Sequence, residues 1–327
     1  VSDAPLVYAR LLAGHRASYV RFTQRLLGAR RARIRDVFFA RAPVLFLMIE
    51  EAFLLYIVAS LWRAMTGRRT VGLLFRPLPA ATSRSLRHRS KRLALRMLTK
   101  LDAVRTLTIL PFDVAPGFAA IARGWIYDFQ FWDLTDEERG EVDELRAKRR
   151  LNGRLVVTAL GAQNRRKGFD LFALTYARVE RMRNRFLFIS CGRIVPALAG
   201  HAQALAEAGG VAVNREMSDA ELLGSYAASD IVWCLYPPLS DQSSGILGRA
   251  VQLGIPVLVR RDSLVHRLCV IEQIPHLATT AEGVAERLAG SVPPRDGARG
   301  RALAARFAAD SEATLRAALG LKGRGKA

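Results

Sequence analysis

Three short runs in the second half of this 327-residue chain bring together residue types suited to holding an anion. In GAQNRRKGFD, Arg165, Arg166 and Lys167 stand directly before Gly168 and an expected helix start. Basic side chains beside a helix N-terminus join point charge to free backbone N–H groups, an arrangement that holds phosphate. A polar turn with solvated cations accounts for the same run. In YPPLSDQSSGILGRAVQLGIPV, Ser243, Ser244 and Gly245 open a second helix with small residues, and Asp241 sits just ahead of them. Glycine there permits close approach of the backbone to a ligand, while a plain N-cap explains Ser243 equally well. In SCGRIVP, Cys191, Gly192 and Arg193 follow an apolar run, and Arg193 reads equally as a crevice residue or a solvated one. Capping alone leaves unexplained why two anion-suited helix starts occur in one half of the chain.

Those loops need strands and helices to hold them. Short apolar runs alternate with longer amphipathic ones along the whole chain, the pattern of strand-helix-strand units and parallel sheets. In the first half the expected strands are 6–12, 36–40, 70–75 and 106–110, with a helix from Gly14-His15-Arg16 to about Leu27, an apolar helix that takes in 43–62 and ends near Thr66-Gly67, and a basic helix through 83–101. The aromatic run WIYDFQFW and the charged run after it, with Thr135 and Glu138 at capping-box spacing, read as a connection over 125–150. Strands at 155–160, 186–190, 211–213, 231–235 and 257–259 then alternate with helices at 169–182, 197–208, from the Ser218/Glu221 capping box to 228, and 244–253. Helices near 282–288 and 299–319 close the chain. The expected division is 1–124 and 151–298 as two domains, with 299–327 as a C-terminal helix and basic tail.

Composition narrows the class further. Half the residues are hydrophobic and 24% charged, which excludes wholesale disorder and fibrous architectures. The net charge of +21 is concentrated in residues 1–125, which hold 22 basic and 6 acidic residues. A field of that sign attracts phosphate-rich partners, an anionic membrane surface or nucleic acid. Nucleic acid is the weaker reading, because the aromatic-basic interleaving of a recognised module is missing. Codon usage rich in Arg explains part of the excess, since only 6 of the 50 basic residues are Lys. Cys191, Cys234 and Cys269 lie far apart in apolar surroundings, as buried thiols of a reducing compartment do. The opening residues lack the basic-then-apolar order of a secretory signal, so a cytoplasmic location is expected. Segment 43–62 has the length of a membrane span, but Glu50 and Glu51 at its centre would be costly in hydrocarbon, so a buried helix is expected there.

Residues 155–259 resemble the donor-binding domain of GT-B glycosyltransferases, especially the large retaining group called family 4. The resemblance rests on Gly161, Lys167-Gly168, Gly192, the run SDAELLGSYAASD ending at Asp230, Pro237, and Gly254-Ile255-Pro256-Val257, in that order and at matching separations. It implies an α/β fold of two Rossmann-like, doubly wound parallel-sheet domains facing across a cleft. It also implies transfer of a sugar from a nucleotide-diphosphate donor to an acceptor hydroxyl, with the anomeric configuration kept and no metal. In that frame Lys167 and Asp241 are the catalytic candidates. The donor would be held by Gly161, Arg165, Arg166, Gly192, Ser243, Ser244, Gly245 and Arg249. Gly14 and His15, with Arg16, resemble the glycine loop that faces the acceptor.

The sequence also departs from the family. Its two-glutamate motif becomes Asp241 and Arg249, the Arg of its glycine-arginine turn becomes Ala162, and the His after a first-domain strand becomes Arg76. An arginine accepts no hydrogen bond from a ribose hydroxyl. A non-catalytic relative that binds or scaffolds in a polysaccharide-making complex is therefore the alternative reading. The basic first half points to a glycan or lipid-linked acceptor at a membrane surface, with Arg87, Arg89, Lys91, Arg92 and Arg96 as the expected docking face. Oligomeric state is not legible.

Overall fold

The computed structural model describes residues 4–11, 15–148, 153–241 and 244–321, and the chain divides into two compact units. The first holds residues up to Phe129 together with those from Arg306, the second Gln130–Ala305.

In the first unit, strands β1 (Leu6–Tyr8), β2 (Arg30–Arg31), β3 (Val44–Phe46), β4 (Thr70–Leu74), β5 (Val104–Thr108) and β6 (Gly124–Trp125) form one parallel sheet in the order β2-β1-β3-β4-β5-β6. Between them run helices α1 (His15–Leu27), α2 (Ile34–Phe39), α3 (Phe53–Met65), α4 (Pro77–Thr82) and α5 (Leu86–Leu98). Right-handed crossovers place α1 on one face of the sheet and the layer α2, α3, α5 on the other. The core between that layer and the sheet is built from Val37, Val44, Phe46, Tyr56, Leu74 and Leu95, among others.

Two expectations fail here. Residues 36–40, read as a strand, form helix α2, because Asp36 accepts the Arg33 backbone N–H at 2.8 Å and fixes the first turn. The apolar run 43–62 is no single buried helix: Val44–Phe46 become the central strand β3, paired on both sides with β1 and β4, and only Phe53–Met65 is helical. Sheet pairing outweighs the local preference of a run whose composition suits either state.

Helix α3 is turned inside out. Its one charged residue, Arg63, is fully buried, while Leu54, Val58, Leu61, Trp62 and Met65 face solvent. The guanidinium donates to the carbonyls of Ala40 (2.9 Å) and Ala42 (2.6 Å), to that of Arg69 (3.0 Å), which also accepts the Val44 N–H, and to Thr70 Oγ1 (3.1 Å). Burial, with the charge of Arg68, pushes its pKa down to about 10.

The second unit starts with helix α6 (Asp136–Ala147), whose Thr135/Glu138 capping box is formed. Strands β7 (Leu155–Leu160), β8 (Phe186–Cys191), β9 (Val211–Val213), β10 (Ile231–Cys234), β11 (Val257–Arg260) and β12 (His276–Thr279) give a second parallel sheet, ordered β12-β11-β10-β7-β8-β9. That order, counted from β7 as the first strand, is the doubly wound Rossmann arrangement. Helices α7 (Phe169–Arg178), α8 (Glu180–Arg185), α9 (Ala199–Glu207), α10 (Asp219–Ala228), α11 (Gly245–Gln252), α12 (Leu264–Ile271) and α13 (Val284–Ala289) connect the strands. Helix α14 (Gly297–Leu319) begins in this unit, and its residues from Arg306 belong to the first. The expected helix 169–182 breaks at Val179, and β12 and α12 lie where no element was expected. All three cysteines are buried and none is in a disulfide. Among the described residues no helix is long and apolar enough to cross a membrane.

Candidate functional site

In a doubly wound sheet, ligands bind beyond the carboxyl ends of the strands at the point where strand order reverses. In the second unit that point lies between β7 and β10, which pair through Ile231 with Val157. Both anion-suited loops leave the sheet there, one after each strand.

The loop after β7 is tightly built. Gly161 (φ +77°) donates its N–H to Cys191 O at 2.9 Å, and Gln163 pairs with Ile194 as an isolated bridge, so the loops after β7 and β8 continue side by side. Asn164 accepts the Lys167 N–H at 3.1 Å and holds Arg165–Lys167 as one 3-10 turn. Gly168 then adopts a left-handed conformation (φ +68°) and α7 begins. Across the switch point stand Tyr236 and Ser244. Lys167 Nζ lies 3.4 Å from Tyr236 Oη, 3.5 Å from Ser244 Oγ and 4.6 Å above the Tyr236 ring. The two hydroxyls are 2.9 Å apart. No carboxylate among the described residues pairs with this ammonium, and burial lowers its pKa. A desolvated cation braced by two hydroxyls beside the first residue of α11 is suited to an anion.

The other candidates are distributed as follows. Arg166 Nε reaches Ser240 Oγ at 3.4 Å, and Arg165 is exposed. Ser244 is the N-cap residue of α11, and Ser243 lies outside the described residues. Gly245 and Gly248 are small because Gln130 packs against the start of α11: a Cβ at Gly248 would stand 2.5 Å from Gln130 O. Asp241 pairs with Arg260 at 3.1 Å and accepts the Leu264 N–H at 2.9 Å, so it ties the loop to the start of α12. Arg249 points to Asp133 at 2.9 Å, whose other oxygen accepts from Gln252 at 3.0 Å. Burial is the largest single influence on Arg249 and lowers its pKa, but the charge and hydrogen bond of Asp133 together with Tyr226 and Glu138 outweigh it, and the net shift is upward.

Gly192 has φ +138°, and a Cβ there would stand 2.1 Å from the backbone oxygen of Gly161. Gly192→Ala is therefore expected to destabilise the second unit by about 2–3 kcal/mol through strain and clash. Gly140→Ala, on an open face of α6, is expected to gain up to about 1 kcal/mol. Urea unfolding of both variants checks the pair; equal stabilities would remove the argument.

In the first unit the strand order reverses between β1 and β3, and charged residues gather beyond those ends. Arg16, in the first turn of α1, pairs with Glu51 at 2.6 Å, and Arg10 donates to Glu51 O at 2.9 Å. Glu50 accepts the backbone N–H of Arg76, after β4. The preceding Met48 sits in the left-handed region (φ 54°), a strain of about 1 kcal/mol that swings both glutamates to this edge. Gly14 lies outside the described residues, and of His15 only the backbone, starting α1, is described.

Glu50 Oε2 is buried with no hydrogen-bond partner among the described residues. Burial raises its pKa against the opposing pull of the Arg76 N–H. An acid whose folded pKa is raised costs stability once ionised, a cost absent below its unfolded value and growing as pH rises through the folded one. Glu50→Gln is thus expected to melt higher than wild type at neutral pH, the gap closing toward pH 4.5. A constant gap would show that charge is not its cause.

Sequence reasoning missed Tyr236, Arg260, Asp133 and the Glu50/Glu51 edge. Tyr236 carried a signal, an aromatic between a switch-point strand and Pro237-Pro238. Asp133 carried none, because its partner is 116 residues away.

No family model and no curated protein matches this chain. Solved structures do. A UDP-forming α,α-trehalose-phosphate synthase from Burkholderia xenovorans, in complex with glucose-6-phosphate, is similar over 96% of this chain and 98% of its own, with TM-score 0.58 and 12% identity. For a sucrose-phosphate synthase from Thermosynechococcus elongatus the shares are 97% and 96%, with TM-score 0.59 and 11% identity. For WaaG, a glycosyltransferase involved in lipopolysaccharide biosynthesis, they are 98% and 99%, with TM-score 0.54 and 13% identity. At such identities the likeness is one of fold: the chain has the GT-B fold of two Rossmann-like units that these glycosyltransferases share.

Proposed function

We propose that the protein is a retaining, family 4-like glycosyltransferase that moves a sugar from a nucleotide-diphosphate donor to a hydroxyl of a glycan or lipid-linked acceptor, in bacterial polysaccharide or glycoconjugate synthesis. The observation that carries this reading is the Lys167 ammonium, held against Tyr236 and Ser244 at the β7/β10 switch point with no carboxylate partner among the described residues.

In the reaction the bond from the anomeric carbon to the diphosphate oxygen breaks and a bond to the acceptor oxygen forms on the same face. The acceptor proton leaves with the diphosphate. Lys167, with Arg165 or Arg166, offsets charge growing on the departing group, and the positive end of the α11 dipole adds to it. These groups supply the positive charge, so the mechanism needs no metal. Asp241 orients the sugar from a loop stiffened by Arg260. Gly161 keeps a side chain out of the donor's path, and Gly192 lets its own loop pack against the Gly161 backbone beside it. On the acceptor side, Arg16 and the glutamates beyond β1 and β3 receive the hydroxyl-bearing partner. The charge of residues 1–125 favours work at the inner face of an anionic membrane, without nucleic acid as partner.

A second reading, a non-catalytic GT-B protein, is favoured by one observation. The two positions that carry acids in family 4 are here occupied by residues engaged internally, Asp241 with Arg260 and Arg249 with Asp133. Melting temperature across a panel of nucleotide diphosphates and nucleotide sugars separates the two. A ligand present at about 100 times its Kd stabilises by about 2.7 kcal/mol. A shift with one nucleotide series supports the donor site and names the base; no shift with any nucleotide at millimolar concentration sinks it.

A further inference from the structure

We infer that the outward face of α2, α3 and α5 is a membrane-insertion surface, which seats its apolar side chains in the interface of an anionic bilayer while the surrounding arginines hold the headgroups. On α3 the exposed residues fall at i, i+4, i+7, i+8 and i+11 from Leu54, a single stripe about 100° wide. Leu54 is 79% exposed and Met65 76%, and no polar side chain interrupts the stripe. Helix α2 extends it through Phe39, 68% exposed and packed edge-on to Trp62 at 6.5 Å. Helix α5 lies on the other side, with Lys91 over the Phe53 ring at 5.1 Å, and turns Leu93 and Met97 outward. Scattered exposed apolar residues are ordinary; a contiguous set across three adjacent helices marks an interaction surface.

Charge selects the occupant. Residues 30–100 contain sixteen Lys and Arg against three acids. One of the three, Asp36, lies 3.7 Å from Arg35, and the other two stand beyond the strand ends. A second copy of the chain would bring this cationic rim against an identical one, whereas an anionic lipid surface complements it. Arginine stems lie along apolar surface while their heads reach phosphate, so the rim and the stripe engage one surface together. The basic helix α5 alone would give adsorption that salt abolishes; the stripe adds a component that salt leaves intact. The inference deepens the reading of a membrane-side acceptor and rests on it for its purpose, not for the binding itself.

The test is flotation of the full chain with vesicles of phosphatidylglycerol and phosphatidylcholine in equal parts, at about 0.1 M and about 1 M salt, where screening lengths are about 10 Å and 3 Å. Wild type is expected to stay bound at the higher salt. The variant combining Leu54→Gln, Val58→Gln and Met65→Gln is expected to partition at least about tenfold less under that condition. Brominated lipid chains should quench a fluorescence component that Trp62→Phe removes. Three results would overturn the inference: no binding to these vesicles, binding lost from wild type at high salt and unchanged in the triple variant at low salt, or a solution dimer that the triple variant dissociates. The nucleotide-induced melting shift of the triple variant, whose donor residues are intact, reports separately on the transferase reading.

Discussion

Lys167→Met is expected to lose the nucleotide-dependent melting shift and to lower sugar transfer by about 10²–10³-fold, the usual loss when one preorganised group facing developing charge is removed. Methionine keeps most of the stem that packs on the Tyr236 ring, so the unliganded protein should melt near wild type or above it. The wild-type protein carries a desolvated ammonium, which a bound diphosphate would relieve. The same physics gives a pH dependence. The anion needs the charged form, and the Lys167 pKa is below the ordinary 10.5, so donor affinity should weaken with rising pH earlier than an exposed lysine would allow. Lys167→Arg should bind more weakly and lose that decline. Isothermal titration against the nucleotide found by melting measures both effects. An unchanged affinity in Lys167→Met would end the assignment of this site, whatever the activity of the protein.

Arg63→Ala is expected to destabilise the first unit by about 3–5 kcal/mol, enough to leave much of it unfolded at ordinary temperatures. The guanidinium donates to three closely placed carbonyls and to Thr70 within a fully buried site, and all four acceptors would lose this donor at once, Arg69 O alone keeping the Val44 N–H. Arg63→Lys should recover little, since one compact ammonium cannot serve acceptors spread around a planar fork. Chemical denaturation followed by circular dichroism gives the size of the loss. A cost below about 1 kcal/mol for alanine would mean that water replaces the guanidinium and that the inside-out orientation of α3 has another cause. The variant bears on the membrane surface too, because Arg63 inside the layer is what leaves the apolar side of α3 outside.

Much of the second unit was legible from its residues. Strand β7 was recognisable at both ends because LVVTAL is an apolar run bounded by polar and glycine residues, as buried parallel strands are. The Ser218/Glu221 and Thr135/Glu138 boxes formed because capping is a local matter of three residues. The loops holding Lys167 and the start of α11 could be assigned to one edge of one sheet, since parallel strands followed by helices bring such loops to the same end. The first unit was harder. Segments 36–40 and 43–62 have compositions that suit strand or helix, and long-range partners made the choice.

Taken by itself, the sequence determined the α/β class, the alternation of strands with helices, the basic character of the first half and the clustering of Arg165, Arg166 and Lys167 in one loop. All of these depend on residue type and on spacing of a few positions. Tertiary structure alone decided that β3 takes the central place beside β1, that Asp241 and Arg249 turn to Arg260 and Asp133, that Glu50 has an oxygen with no partner among the described residues, and that α3 buries its arginine and exposes its leucines. Each of those outcomes depends on which distant groups arrive within hydrogen-bonding reach. A buried carbonyl or charge without a partner costs more than any local propensity returns, so the fold follows the partners it can satisfy.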